Sequence, residues 1–151
     1  MSEPTEVFIA EVKVAVPAGI GVEAGMVVLA ERPPPYRLLR IIVGQAEARA
    51  IQSAWTRAAP ARPSTWDLLV SSVNLLGGRI QRAVITGVEQ QRHYFAVMDL
   101  ERDGQVWSVA CRPSDAIAVA LRSEGTNIYA APEVLDAAGV LADGSRPAPP
   151  A

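Results

Sequence analysis

The sequence predicts an α+β fold, in which helices pack against a β-sheet. Several segments alternate apolar and polar residues, which is typical of half-buried strands. Other segments are rich in alanine and carry their apolar residues at helical spacing. The two halves of the chain also repeat one order of elements: strand, strand and helix. With 151 residues, half of them hydrophobic and a fifth charged, the chain is expected to form one globular domain.

The first half is expected to form three strands and two helices. A loop at 17–25 contains three glycines. The prolines at 33–35 mark a connection, because proline cannot donate a ladder hydrogen bond. Ser64 and Asp67 have the spacing of a capping box at the start of the second helix. The expected elements are strands at 7–16, 26–31 and 38–43 and helices at about 46–58 and 64–76.

The second half is expected to form four strands and two helices. Asp103 and Gly104 form a hairpin turn between two of the strands. Pro113 disfavours helix for the residue before it, so Ser114 is expected to cap the helix that follows. The expected elements are strands at 80–88, 93–101, 105–111 and 127–130 and helices at about 114–124 and 132–138. The domain is expected to span 1–141, followed by a Pro-rich, disordered tail at 142–151.

The halves match without a gap when 27–51 is placed on 95–119. This alignment equates Glu31 with Asp99 and Glu47 with Asp115, and it superposes the two hairpin turns. The match lies in residue class more than in identity. It predicts a duplicated strand–strand–helix unit in which Glu47 and Asp115 begin equivalent helices.

The charge and the motifs argue against several classes of protein. A net charge of −2 argues against non-specific electrostatic binding of nucleic acid through a basic surface. Lys13 is the only lysine, and the other cationic residues are arginines, whose planar fork suits a carboxylate or a phosphate. The sequence has no zinc-finger, P-loop, dinucleotide-binding or Ser/His/Asp signature.

The chain is expected to be a cytoplasmic protein with no membrane span. No uninterrupted apolar run reaches the roughly 20 residues that cross a bilayer. The N-terminus lacks the basic and apolar regions of a signal peptide. Cys111 is the only cysteine, so it cannot form an internal disulfide, and it is expected to be a small buried side chain.

The stretch from Arg112 to Arg122 is the best candidate for a polar site. An apolar strand ends before it and an Ala-rich helix begins within it. Arg112, Ser114 and Asp115 therefore lie where free N–H groups and the positive end of a helix dipole can bind an anion such as phosphate. Arg112 is interpreted either as an anion clamp or as the partner of a nearby acid. Arg40, which interrupts an apolar strand, has the same two interpretations.

Four carboxylates are candidates for the same site. Asp67 and Asp115 fall in the first turn of a helix, where stabilisation of the helix dipole is the purely structural alternative. Together with Glu47 and Glu31 they could instead converge on a divalent metal ion, which activates water and balances charge at a phosphate. Arg122 lies seven residues after Asp115 on one helix face, so it is expected to pair with a carboxylate or to contact a ligand.

The histidine and the tryptophans are assigned structural roles. His93 is the only histidine, and no cysteine is placed to share a metal with it, so we expect a solvated histidine at a strand edge. Trp66 and Trp107 are expected to be packing residues rather than platforms on which bases stack.

With these residues in view, the chain resembles the bifunctional nuclease (BFN) family of bacteria and plants. The segments that carry the resemblance are, in order, Leu29–Glu31, Arg40–Gly44, Glu47–Ala48, Ala50–Ile51, Arg62–Leu69, Arg112–Ala118, Ile128–Tyr129 and Val134–Leu135. The resemblance spans about 7–141. It implies a compact α+β domain with a mixed sheet, which is often a homodimer, and the family name implies hydrolysis of both RNA and DNA.

The resemblance also implies roles for individual residues. Carried over by position, it implies catalytic roles for Glu47, Asp67 and Asp115 and substrate-binding roles for Glu31, Arg40, Thr65, Arg112, Ser114 and Arg122. Two positions depart from the family pattern: Trp66 stands where the family commonly has His, and Ala110 where it commonly has Asp. These departures remove an imidazole and a carboxylate, which weakens any mechanism that needs a general base or a full metal shell.

Three hypotheses follow for the function. In the first, the chain is a nuclease that binds nucleic acid: Arg112, Arg122 and the helix start at Ser114 hold a phosphate. Asp115, with Glu47 or Asp67, then positions a water, directly or through Mg²⁺ or Mn²⁺. In the second, the same residues form a noncatalytic, dimeric module that recognises an anionic ligand or regulates a partner. In the third, they are structural, and the capped helices and Arg–carboxylate pairs only maintain the fold.

Overall fold

The structure is a computed structural model that describes residues 3–58 and 61–146. Within them the chain forms seven strands and four helices. In chain order these are β1 (Thr5–Gly19), β2 (Val22–Glu31), β3 (Leu38–Val43), α1 (Gln45–Trp55), α2 (Thr65–Leu75), β4 (Arg79–Glu89), β5 (His93–Arg102), β6 (Gln105–Cys111), α3 (Pro113–Ala120), β7 (Asn127–Ala130) and α4 (Pro132–Ala138).

The strands form one mixed sheet in the order β3-β2-β1-β7-β4-β5-β6. β7 lies in the middle, antiparallel to β1 and parallel to β4, and the other neighbours pair antiparallel. The α+β class and the mixed sheet are therefore confirmed.

The core lies between one face of the sheet and the helices α1 and α3. These two helices pack against each other, α1 on β1 and β2 and α3 on β4 and β5, and α2 packs on α3. Every residue from Ala116 to Ala120 is buried, because α3 lies between its neighbours and the sheet. Small alanines let the helices approach closely, and Ile51 and Ile117 fill the space between them and the strands. The first turns of the three helices are thereby brought near one another.

The predicted loop at 17–25 is wrong. Most of its residues continue β1 and β2 as a long hairpin, in which Gly19 pairs with Val22 across a two-residue turn. Gly21 takes a φ of 69° in that turn, which glycine adopts at little cost. Irregularities in the ladder flank Pro17, and such breaks in register accommodate a residue that cannot donate a hydrogen bond.

The predicted cap of α3 is also wrong. The N-cap is Arg112, and Ser114 lies two residues inside the helix. Pro113 takes the first helical position, where its missing N–H costs nothing and its fixed φ suits the helix. The helix ends at Ala120 rather than near 124, because the chain turns at 123–126 with Gly125 at a φ of 75°. By contrast, β3, β6, β7 and α4 have the predicted bounds.

The observed order of helices and strands is consistent with the predicted repeat of a strand–strand–helix unit. β2, β3 and α1 correspond to β5, β6 and α3 in the alignment of 27–51 with 95–119, and β3 and β6 lie at opposite edges of the sheet. The origin of the two units in a duplication stays a prediction. So does the boundary at 141 with a disordered tail: 141–145 form a hydrogen-bonded turn, and 147–151 lie outside the described residues. Among the described residues, no helix is long and apolar enough to cross a membrane.

Candidate functional site

Three acidic residues occupy the same position in three helices. Glu47, Asp67 and Asp115 are each the third residue of α1, α2 and α3, counted from the N-caps Gly44, Ser64 and Arg112. A carboxylate in the first turn interacts favourably with the helix dipole by roughly 0.3–1 kcal/mol. Only Asp67 completes the predicted capping box: its carboxylate accepts from Ser64 N at 2.6 Å, and its N–H donates to Ser64 Oγ at 3.2 Å.

Arg112 joins two of these carboxylates. Its Nε and Nη2 both donate to Asp115, at 2.9 Å each, in a bidentate pair. Its Nη1 is 3.4 Å from Glu47 Oε1, a longer and weaker contact. The Arg112 side chain is 63% exposed although it bridges α1 and α3. The predicted pairing of Arg112 with a nearby acid is therefore present, and the guanidinium still reaches solvent.

Arg122 is held almost entirely by the protein. Its Nη1 and Nη2 donate to the carbonyls of Ala118 and Ala50 at 2.9 Å, and its Nε lies 3.3 Å from Asp67 Oδ1. The guanidinium also lies over the Trp66 ring, 5.7 Å from its centroid. Because these contacts engage all three of its guanidinium nitrogens and only 12% of the side chain is exposed, Arg122 ties α1, α2 and α3 together.

Trp66 completes this arrangement from α2. Its Nε1 donates to Asp115 Oδ1 at 3.3 Å, which links α2 to the carboxylate that Arg112 also holds. The expectation of a packing role is confirmed, since Trp66 packs against the core and is partly buried. We call the set of Glu47, Asp67, Asp115, Arg112, Arg122 and Trp66 the Arg–carboxylate cluster.

The two aspartates of the cluster are stabilised as anions. Hydrogen bonds from Arg112 hold the pKa of Asp115 below its ordinary value, although partial burial opposes them. The backbone N–H and the hydroxyl of Ser64 hold the pKa of Asp67 below its ordinary value. Both side chains are therefore ionised and weakly basic at neutral pH, so they accept hydrogen bonds well and take up protons poorly.

An open groove of about 620 Å³ lies beside the cluster, and Arg112 lines it. One wall is the end of β3 and the start of α1, up to Gly44; the other is the start of β5 and the start of α3. Neither Gly44 nor Arg112 makes a side-chain cap. The first N–H groups of α1 therefore have no capping side chain, whereas in α3 Pro113 has no N–H and Asp115 N–H donates to Arg112 O at 3.0 Å, which leaves the N–H of Ser114. Two helix N-termini and one exposed guanidinium thus face the same open space.

Gly44 leaves room at this wall for the side chain of Glu47. A Cβ added there would collide with the carboxylate of Glu47, which folds back over its own N-cap. The absence of a side chain therefore lets Glu47 stay near Arg112 and keeps the start of α1 open to the groove.

The remaining predicted residues do not join the cluster. Glu31 is buried and accepts from Arg37 Nε at 2.8 Å, in an ion pair below the connection from β2 to β3. Arg40 is exposed on β3, opposite Val28. Thr65 is exposed at the start of α2, and buried Ser114 lines the groove beside Arg112.

The donor set does not fit a divalent cation held by protein ligands alone. Within 3–58 and 61–146, no three His, Cys, Asp or Glu side chains come together as metal ligands. The carboxylate of Asp115 is also committed to Arg112 and Trp66.

The prediction of candidates missed one wall of the groove, which contains Arg92, His93, Tyr94 and Phe95. The hairpin turn at 103–104 could have indicated this wall, because it sets the register of β5 against β6. Its register pairs Ala96 with Cys111, which brings Phe95 next to Arg112. The expectation that His93 is exposed at the start of a strand is confirmed.

Fold and site together define an α+β domain that gathers acidic helix starts around two arginines, beside an open groove. The family described as the Bifunctional nuclease domain matches residues 27–143. The chain is also 37% identical over 105 residues to uncharacterized proteins from two strains of Mycobacterium tuberculosis, a match that covers 70% of this chain and 61% of each relative. It thus spans about three-fifths of the length of these curated relatives. The chain belongs to the bifunctional nuclease domain family.

Proposed function

We propose that this chain hydrolyses phosphodiester bonds of DNA or RNA in the groove between the starts of α1 and α3. The observation that carries the proposal is the exposed guanidinium of Arg112, placed between two helix N-termini that no side chain caps. Phosphate oxygens are the ligands that such N–H groups and an arginine fork suit best. Membership of the family supports the same chemistry.

Arg112 holds the phosphate in this proposal. Its two short hydrogen bonds to Asp115 fix the direction of the guanidinium, and the long contact from Nη1 to Glu47 is the one that a phosphate oxygen replaces. The first N–H groups of α1 add donors, because the helical hydrogen bonds begin with Ala48 N–H to Gly44 O. Arg122, which is mostly buried and has all three guanidinium nitrogens in contact with the protein, positions Asp67 and Trp66 and does not bind substrate.

Glu47 and Asp115 position the attacking water. Both carboxylates contact Arg112, which lines the groove, and an ionised carboxylate accepts a hydrogen bond from water in a fixed direction. Asp115 orients the water rather than taking its proton, since its pKa is held below the ordinary value. His93 lines the same groove, and an imidazole can both accept and donate a proton, so His93 is our candidate for proton transfer.

A second candidate function is binding of a nucleic acid or nucleotide without hydrolysis. It is favoured by one observation: Asp115 is engaged by Arg112 and Trp66 and is weakly basic, which suits a fixed anion-binding wall. The same Arg112 and helix starts then hold the phosphate, and no water is activated.

A cleavage assay separates the two candidates. Labelled single- and double-stranded DNA and RNA are incubated with the protein, with and without EDTA. The variants Arg112→Gln, Asp115→Asn and His93→Gln are prepared identically. Arg79→Gln is the matched control, because Arg79 is 58% exposed and also pairs with an acid, Glu101. We expect wild type and Arg79→Gln to cleave, and the other three variants to lose about tenfold or more.

Two other outcomes count against hydrolysis. Equal cleavage by all five proteins indicates a contaminating nuclease and contradicts the proposed site. No cleavage, with saturable binding that Arg112→Gln abolishes, supports the binding module instead.

The cytoplasmic location stays a prediction.

A further inference from the structure

A second hollow, of about 530 Å³, lies on the face of the sheet opposite α1 and α3. Ala83, Ile85, Ala96 and Met98 of β4 and β5 face the core. The residues that alternate with them therefore face the other side, and several of these line the hollow. Among the described residues, none lines both this hollow and the groove beside Arg112.

A buried carboxylate fixes an arginine at one side of this hollow. Asp99 is only 5% exposed, and it accepts from Arg82 Nε at 2.7 Å and from Ser108 Oγ at 2.6 Å. The Arg82 guanidinium also lies over the Tyr129 ring, 5.8 Å from its centroid. These contacts hold the guanidinium in one direction, so it has less side-chain freedom to lose when a ligand binds.

The other two nitrogens of this guanidinium reach solvent. Within 3–58 and 61–146, Nη1 and Nη2 of Arg82 make no hydrogen bond, and every buried side-chain nitrogen there has a partner. The Arg82 side chain is 40% exposed and lines the hollow. Two parallel N–H groups of an arginine match the two oxygens of a carboxylate. The hollow therefore contains an oriented fork with two free donors.

The remaining walls of the hollow select among anions. Val84, Val97 and Ala131 form an apolar wall, which suits a short hydrocarbon chain. Asp99 already balances the charge of Arg82, and the exposed Glu133 adds a negative charge to the same hollow. A ligand with two negative charges is therefore repelled, and a ligand with one is favoured.

We propose that this hollow binds a small monocarboxylic acid. Its carboxylate accepts from Nη1 and Nη2 of Arg82, and its hydrocarbon chain lies along Val84 and Val97. Glu133 disfavours dicarboxylates and phosphate dianions. The site shares no lining residue with the groove beside Arg112 among the residues described, so the proposal does not depend on hydrolysis there.

Isothermal titration calorimetry with sodium hexanoate as the probe tests the proposal. We expect one site per chain with a dissociation constant of about 0.1–1 mM, a range suited to a ligand of about eight non-hydrogen atoms. Hexanamide has a similar shape without the charge, and adipate has a second carboxylate. Both should bind at least about tenfold more weakly than hexanoate. Glu133→Gln should narrow the difference between hexanoate and adipate.

Two variants locate the ligand. Arg82→Gln should weaken hexanoate binding at least about tenfold. Arg40→Gln is the matched control, because Arg40 is an exposed arginine between two core-facing residues of β3 and so lies on the same face of the sheet. Arg82→Gln also removes a partner from the buried Asp99, so circular dichroism checks its fold. Thr86→Trp leaves that ion pair intact, fills the hollow from an exposed position and should abolish binding.

Four results would overturn the proposal. The first is no saturable binding of hexanoate up to about 20 mM. The second is binding that Thr86→Trp leaves unchanged. The third is loss of binding in Arg112→Gln, which would place the carboxylate in the other groove. The fourth is tighter binding of adipate or inorganic phosphate than of hexanoate. Loss of nucleic-acid cleavage alone does not bear on this site.

Discussion

Replacing Asp115 by asparagine is expected to destabilise the protein without changing its shape. The substitution keeps the size of the side chain and removes one charge. That charge receives two hydrogen bonds of 2.9 Å from Arg112 and one of 3.3 Å from Trp66, and it lies in the first turn of α3. Asparagine keeps one acceptor oxygen, so one donor loses its partner and the others bind a neutral group.

The loss can be summed from three contributions. The favourable interaction with the helix dipole is about 0.5 kcal/mol. Arg112 is mostly exposed, so its pair with Asp115 contributes only about 0.5 kcal/mol in solvent. The weaker hydrogen bond from Trp66 costs about 0.5 kcal/mol more. The total of about 1–2 kcal/mol lowers the melting temperature of a chain of this size by about 3–6 °C.

The loss of stability caused by Asp115→Asn is expected to depend on pH. Because the folded-state pKa of Asp115 lies below the ordinary value, the ionised carboxylate stabilises the fold above about pH 4, and this contribution is lost as the pH falls through the folded-state pKa. Urea denaturation followed by circular dichroism, at pH 7 and at steps below pH 4, compares wild type with Asp115→Asn and with the exposed control Glu124→Gln. Equal stability at pH 7 would refute this reasoning. A difference that persists unchanged to the lowest pH at which both proteins fold would refute it as well.

Three further outcomes follow from local contacts. Ser64→Ala removes the hydroxyl of the capping box with Asp67 and should cost about 1 kcal/mol in urea denaturation; a neutral effect would contradict the cap. Gly25→Ala should cost about 1–3 kcal/mol in the same assay, because its Cβ would collide with that of Ala48; unchanged stability would show that α1 can move away. Burial raises the pKa of Cys111 to about 11, so iodoacetamide at pH 8 should label the unfolded chain much faster than the native one, and equal rates would contradict the burial.

The bounds of several strands could be predicted, because the residues that favour a turn act on their immediate neighbours in the sequence. The bounds of β3, β6 and β7 follow from prolines, from the Asp103–Gly104 turn and from short apolar runs, all visible in a few residues. The hairpin tip at 17–25 could not be predicted in the same way. Its pairing depends on ladder irregularities around Pro17, and these are set by the opposite strand rather than by local preference.

Individual residues of the candidate site could be predicted from the sequence, but the contacts between them could not. The spacing of Ser64 and Asp67, and the alignment of Glu47 with Asp115, indicate acidic helix starts from sequence alone. The contact between Arg112 and Glu47 joins residues 65 apart, and it exists because α1 and α3 pack together on the sheet. The spacing of residues along the sequence does not indicate how closely α1 and α3 pack.

The role of Arg112 is tested most directly by oligonucleotide binding. Fluorescence anisotropy of a labelled single-stranded oligonucleotide is measured over a range of salt, with wild type, Arg112→Gln and the matched control Arg79→Gln. We expect Arg112→Gln to weaken binding about tenfold or more and to reduce the slope of log affinity against log salt by about 0.7, the value for one phosphate contact on a single strand. Arg79→Gln should change neither quantity. Equal losses in both variants, or none in Arg112→Gln, would contradict a phosphate site between the starts of α1 and α3.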